Sequence, residues 1–222
     1  LDKRIGEGNV ILENVTIERD IFAYGGGENS VIFRDCTLEG TVIVDKVNGQ
    51  IRIIAAGTTS VPKIVLQTGA ILLSEGDGLF SRVELPEDLA KDAQIVLIGN
   101  FGEMEVSARG VSVKMGEGSE LESLTLTEDA AGAKIDLDKG ANITTVKVDA
   151  KVEIIGQGSI TRAEINADGV LIEQKPEKTI LKPGTKANVG GKDISEPKVP
   201  KGSDSSGDSG GTVTDPEGKA KE

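Results

Sequence analysis

Short β-branched apolar stretches return eight or nine times along the chain at a spacing of about twenty residues, each closed by polar pairs or by Gly and Asn turns. A repeat of that period predicts a coiled β-solenoid. No coil of such a fold can bury its inner face alone, and stacking at about 4.8 Å turns the faces into one continuous core. The clearest pair of units, residues 10–24 and 31–45, aligns without a gap. Val10-Ile11-Leu12 falls on Val31-Ile32-Phe33, Val15 on Cys36, Ile17 on Leu38, and Ile21-Phe22-Ala23 on Val42-Ile43-Val44. Three apolar stretches per unit predict three short strands per coil.

The later units keep this logic while their lengths drift. Residues 51–70 carry Ile51-Arg52-Ile53 and Ile64-Val65-Leu66 and fit the second unit with about two residues inserted near Thr59. Residues 71–93 end in Pro86-Glu87-Asp88-Leu89-Ala90-Lys91, where Pro in the first turn and early acids predict a helical turn, a bulge on the solenoid. Ile95-Val96-Leu97, Val111-Ser112-Val113, Ile135-Asp136-Leu137 and Val152-Glu153-Ile154 each lead through a Gly-rich corner to a second alternating strand. Alternation sends one side chain in and the next out and fixes the register.

Composition sharpens this picture. With 29 Gly, 37% hydrophobic residues and 2% aromatics, the chain can build a long narrow core of Val, Ile and Leu better than a broad globular one. The net charge of −12 argues against nucleic acid and favours solubility, with contacts to cations or basic polymers. No stretch approaches the roughly 18 apolar residues of a membrane span. The opening Leu1-Asp2-Lys3 carries no signal peptide, which suits a mature or excised fragment. The single cysteine excludes an internal disulfide, and Cys36, aligned with Val15, is expected to be a small buried hydrophobe. From about Gln174 the alternation thins, and from Gly202 a Gly, Ser and Asp run cannot bury enough surface to order itself. Residues 1–192 are therefore expected to form the solenoid domain and residues 193–222 a disordered linker or tail.

Several phrases then stand together in order: Tyr24-Gly-Gly-Gly-Glu-Asn-Ser-Val31, Val44-Asp-Lys, Ile53-Ile-Ala-Ala-Gly-Thr-Thr-Ser-Val61, Gly99-Asn-Phe-Gly102 and Ile172-Glu-Gln-Lys-Pro176. On these the chain, over roughly residues 5–192, resembles a β-helical module of Gram-positive (Firmicute) cell-surface proteins associated with S-layer homology domains. The resemblance implies a right-handed, single-stranded parallel β-helix in an exported, wall-associated protein, and carries over no catalytic residues.

Chemical motifs offer competing readings. Hydrolases of this architecture resemble one another in paired aspartates and a Gly-His-Gly, and the chain has no His and no Asp-Asp pair. A lyase needs clustered carboxylates with a basic residue on one face; Asp35, Asp45 and Asp136 beside Arg34, Arg52 and Lys134 supply the residue types, and the solvated side of strands explains them equally. Gly25-Gly-Gly-Glu-Asn-Ser-Val31 approaches a calcium roll, but Glu28 and Ser30 replace the Gly and the ligand Asp and the motif occurs once, so a tight corner is expected. Gly76-Asp77-Gly78 and Asp136-Leu-Asp138-Lys-Gly140 lack the EF-hand pattern. Ile160-Thr161-Arg162-Ala163-Glu164 matches the Ile-Thr-Arg-Ala-Glu signature of S-layer homology domains, yet lies in line with the second strand of earlier coils. Gly116-Glu-Gly118 and Gly156-Gln-Gly158 recur at one point of the coil, which makes them turns and not phosphate cradles. Sugar stacking is disfavoured because Phe22, Tyr24, Phe33, Phe80 and Phe101 are the whole aromatic inventory, with Phe22 and Phe33 aligned to core positions.

The sequence therefore predicts an all-β solenoid of about eight or nine coils, a noncatalytic extracellular spacer or assembly unit of the bacterial cell wall or S-layer. No catalytic, cofactor or metal residues are expected. A cell-wall carbohydrate or cation binder is the alternative, and a polysaccharide lyase or hydrolase the more distant one. Expected partners are neighbouring domains of the same secreted protein, with self-assembly into a homo-oligomer or fibre and cell-wall polysaccharide as further candidates. Nucleic acid and membrane insertion are excluded. Residues through Gly8 and residues 175–193 are the expected caps.

Overall fold

The computed structural model describes residues 1–2, 4, 9–25, 30–46 and 49–197. Strands of Val, Ile and Leu alternate with short corners throughout. The first coil holds β1 (Val10–Glu13), β2 (Thr16–Ile17) and β3 (Ile21–Ala23), and the second β4 (Val31–Arg34), β5 (Thr37–Leu38) and β6 (Thr41–Val44). The third holds β7 (Ile51–Gly57), β8 (Ser60–Val61) and β9 (Lys63–Leu66). Thereafter the two short strands merge into one of seven residues, giving the pairs β10 (Ala70–Gly76) with β11 (Leu79–Leu85), β12 (Gln94–Ile98) with β13 (Asn100–Val106), and β14 (Ser112–Met115) with β15 (Glu120–Leu126). The last coils are β16 (Lys134–Leu137) with β17 (Asn142–Val148), β18 (Glu153–Gly156) with β19 (Ser159–Ile165), and β20 (Val170–Ile172) with β21 (Lys178–Leu181), beyond which β22 (Lys186–Val189) and β23 (Lys192–Ser195) both lie in the first sheet.

From β1 to β22 the strands pair in parallel with their counterparts one coil later, and with the antiparallel β23 they build an 11-stranded and a 12-stranded sheet and a β-solenoid of about nine turns. The alignment of the first two units is the observed ladder: Val10 pairs with Val31, Ile17 with Leu38 and Ala23 with Val44. Inner positions such as Val31, Phe33, Ile64, Leu72, Leu97, Ile143 and Ile165 are fully buried between the sheets. Burial there is shared by consecutive coils, the arrangement of a quasi-one-dimensional repeat fold.

Two local expectations are corrected. The third unit is lengthened before β7, and near Thr59 by one residue and not two: Val31 pairs with Ile53 and Arg34 with Ala56, Thr37 pairs with Ser60 and Thr41 with Lys63, while Ile51 pairs with Ala70 of the next coil. A slip of two residues keeps every side chain on its own face, so the apolar pattern alone does not distinguish the registers. Thr59 instead fills a corner, its hydroxyl accepting from the Cys36 amide at 3.0 Å and donating to the Phe33 carbonyl at 3.0 Å. The segment after Pro86 is two successive tight turns and not a helical turn, with the Leu89 amide bonded to Pro86 and the Ala93 amide to Ala90, both at 3.1 Å. The same double turn closes Thr127 to Ala133, and in both places the apolar residues that end the turns point into the core. The Ala90 amide also bonds Gln67 of the preceding coil at 3.0 Å, so this segment is a stacked corner of the solenoid wall.

At the far end the chain reverses. β23 pairs antiparallel with β22 and covers the edge of the first sheet. The tail from 198 onwards and most of the expected N-terminal cap lie outside the described residues.

Candidate functional site

The outward side of the second sheet is a surface built from two columns of in-register side chains. One reads Thr41, Lys63, Arg82, Glu103, Ser123, Thr145, Arg162 and Lys178 along the stack. The other reads Phe22, Ile43, Val65, Glu84, Glu105, Thr125, Lys147, Glu164 and Ile180. Charges meet across the columns. The Arg82 guanidinium donates to Glu84 at 2.6 Å, Glu103 at 3.1 Å and Glu105 at 2.9 Å, and Lys63 lies 2.7 Å from Glu84. The hydrogen bond to Glu84 pushes the Arg82 pKa up. Burial pushes the Glu84 carboxyl up, but hydrogen bonds from Lys63 and Arg82 outweigh it and hold that carboxyl below its ordinary range. Asp149 is lowered in the same manner, with burial opposed and outweighed by bonds from Lys147 and Asn166.

A carboxylate whose folded pKa is depressed stabilises the fold above its unfolded pKa, and that contribution is lost as pH falls through the folded value. Glu84→Gln should therefore lower stability modestly at neutral pH, by no more than about 1 kcal/mol for so exposed a network. It should also flatten the loss of stability on acidification below about pH 4. Thermal melts of both proteins between pH 7 and pH 3 read this directly.

The outward side of the first sheet carries an aliphatic stripe that runs along the stack: Ile11, Ile32, Ile54, Leu73 and Ile98 are successive ladder partners. Ile71 and Val96 lie beside it, and the stripe stops where Gly116 follows Ile98 and Lys114 follows Val96. Ile54 faces outward yet is only 7% exposed, flanked by its neighbours Ile32 and Leu73. The sequence signal was present in the unbroken apolar runs Val10-Ile11-Leu12 and Val31-Ile32-Phe33, which depart from strict alternation.

The first coil also presents an aromatic pair. Phe22 and Tyr24 stack with ring centroids 5.9 Å apart, 44% and 45% exposed. The expectation that Phe22 occupies a core position is corrected: Ile21 and Ala23 point inward, which turns Phe22 out. Phe33, by contrast, is fully buried, as are Phe80 and Phe101 apart from a trace of exposure. At the opposite end an open groove of about 680 Å³ runs between β20, β22 and β23, with Leu171 and Ile194 among Asp168, Lys186 and Asp193.

The acids considered for catalysis do not converge. Asp35 sits in the corner after β4, its carboxylate accepting from the Thr58 amide at 3.0 Å, whereas Asp136 lies in β16, five coils and therefore about 24 Å along the stack. Among the described residues no three His, Cys, Asp or Glu side chains are grouped to hold a metal ion. Gly26 to Asn29 of the glycine run lie outside the described residues. Gly116 and Gly156 are in the same corner of the coil, with Gly116 bonded to Leu97 and Gly158 to Leu137. Ile160 to Glu164 lies within β19, Arg162 donating to its strand neighbour Glu164 at 2.9 Å. Cys36 is buried, its thiol directed at the carbonyls of Leu12 and Arg34. No described helix is long and apolar enough to cross a membrane.

No protein-family model matches the chain, and no curated protein matches it. Among solved structures it is similar to chitinase ChiW from Paenibacillus sp. str. FPU-7, described as a bacterial cell-surface-expressed multi-modular enzyme machinery. The identity is 31%, the TM-score 0.58, and the match covers 64% of this chain and 13% of that one. The likeness is thus to a small part of a much longer, multi-modular surface protein.

Proposed function

We propose that the chain is a noncatalytic structural module of an extracellular surface protein, a stiff spacer between neighbouring domains in a bacterial cell-wall or S-layer setting. The observation that carries this reading is the parallel ladder that continues from β1 to β22 without losing register across the stack. Its backbone bonds run along the axis and resist extension, while the outward charges of the second sheet are engaged with one another. The likeness to part of a cell-surface multi-modular enzyme supports the setting. Self-association through the open ends is the assembly form of the same reading.

The Phe22 and Tyr24 pair favours a second reading, binding of wall polysaccharide by stacking of sugar rings on an aromatic platform. One assay separates the readings. The chain is incubated with insoluble chitin, β-glucan and purified cell wall, and both released reducing ends and bound protein are measured. The spacer reading expects neither turnover nor retention. Retention lost in Phe22→Ala and Tyr24→Ala variants would establish the carbohydrate reading, and turnover above buffer would overturn the noncatalytic one.

A further inference from the structure

At its far end the solenoid finishes in a strand edge. The first sheet continues past β20 through β22 and β23, whereas the second stops at β21, so the first sheet extends beyond the second by two strands. Among the described residues nothing pairs with the outer edge of β23. The backbone of β23 sorts into two sets. Lys192 opposes Val189 across the two-residue turn Gly190-Gly191, and Ile194 opposes Ala187, which makes these the bonded pairs of the hairpin. Glu196 continues the same phase, its amide donating to the Thr185 carbonyl at 3.1 Å and its carbonyl accepting from the Gly184 amide at 2.8 Å. Alternation therefore turns the N–H and C=O groups of Asp193 and Ser195 outward.

From these facts we infer that β23 of one chain pairs antiparallel with β23 of a second copy, joining two solenoids tail to tail through their first sheets about a two-fold axis. The inference rests on the structural-module reading and names its joint. Three observations converge on a second copy as the occupant.

The first is register. Bonded pairs across the joint must bring outward backbone groups together. Asp193 against Ser195 of the second copy does so on both sides of the axis, with Ile194 at the centre, and leaves no outward group of β23 unused. A shift of two residues one way sets Asp193 against Asp193 of the second copy. The same shift the other way sets it against Pro197, which has no N–H to give.

The second is the set of side chains that meet. In this register Lys192 faces Glu196 of the second copy on both sides of the axis, so each chain supplies both halves of the charge pair. Ile194, half-buried and packed against the end of the core, lies against Ile194 of the second copy and carries the apolar seam across the joint. β23 contains neither a Pro nor a bulge, the devices that blunt an exposed edge, and its charges are the ones that the second copy answers.

The third is room and net charge. Because the second sheet stops at β21, the two copies of β21 lie five strand spacings apart across the joint, about 24 Å, and do not collide. From Asp168 to Glu222 nine lysines stand against ten acids, so the net charge of −12 belongs almost wholly to the rest of the chain and does not hold the two ends apart.

The test is sedimentation equilibrium of the full chain up to the millimolar concentrations that a small interface requires. The expected result is a mass that rises with concentration and levels at that of a dimer. Lys192→Glu and Glu196→Lys, both at exposed positions, should each weaken association about tenfold or more by setting like charges opposite one another. An equal mixture of the two variants should recover it, because each chain then meets its opposite. Ser195→Pro removes an outward N–H that bonds nothing within the hairpin, and should abolish the dimer while leaving the thermal melt of the monomer in place. Ile194→Cys oxidised with diamide should give disulfide-linked dimers, and the exposed Ile180→Cys should not, the native Cys36 being buried. A monomer at every concentration, assembly beyond the dimer, or a dimer that Ser195→Pro and both charge reversals leave intact would overturn the joint. A monomer that neither retains nor turns over polysaccharide would leave the spacer reading intact, so the two failures are distinguishable.

Discussion

Replacing Phe80 with alanine is expected to lower the unfolding free energy by about 3–5 kcal/mol, the range for truncating a buried aromatic side chain. Phe80 is fully buried in β11 and stacks on its ladder partner Phe101 at 5.5 Å between ring centroids. The narrow interior offers few neighbours that can move into the void. In a fold whose coils are held by their neighbours, a cavity at one level weakens both adjoining interfaces. Chemical denaturation followed by circular dichroism measures the loss. Phe22→Ala is the control, since an exposed ring at the outer face should cost no more than about 0.5 kcal/mol. A loss at Phe80 as small as that at Phe22 would contradict a stacked core.

Gly78→Ala is the second large effect. Gly78 turns the chain from β10 to β11, and a Cβ there would stand 2.0 Å from the Ala55 carbonyl oxygen and 2.6 Å from its carbon. Both atoms are backbone of the preceding coil, so relief requires the coils to separate. A cost of about 2–3 kcal/mol is expected, at the upper end of what overpacking produces. Gly110→Ala isolates the other part of a glycine's role. Gly110 has a φ of 66° but nothing within 4 Å of an added Cβ, so only the left-handed backbone is penalised, by about 1 kcal/mol. Thermal melts of the pair should rank them in that order.

The fold was legible because two periods are written into the chain. The alternation of Val83, Met104 and Leu124 with polar neighbours gave the faces, and the return of apolar runs every twenty or so residues gave the coils. Register was legible where lengths are constant, as between β1 and β4. It was not legible across the corner before β7, because a shift of two residues conserves every inward and outward assignment. The double turn after Pro86 was hidden for a different reason. Pro followed by acids is compatible with a first helical turn, and the two separate turn bonds, with the bond from Ala90 to Gln67 of the preceding coil, decide against it.

The candidate surfaces were less legible still. Phe22 seemed internal because it aligns with the apolar Ile43 of the next unit, and a three-residue apolar run does not say which members face out. The stripe from Ile11 to Ile98 and the cluster around Arg82 are columns across coils. Their members are some twenty residues apart, so they become neighbours only after the register is known. The dispersal of Asp35 and Asp136 is legible on the same terms, from the number of coils between them.

The central claim is that stacked coils make a mechanically stiff spacer, and pulling a single chain from its two ends measures this most directly. The account predicts resistance to force followed by release of coils in succession, each step lengthening the chain by about 70 Å, the contour of some twenty residues. Extension without resolvable resistance, or loss of the whole fold in one low-force event, would contradict it.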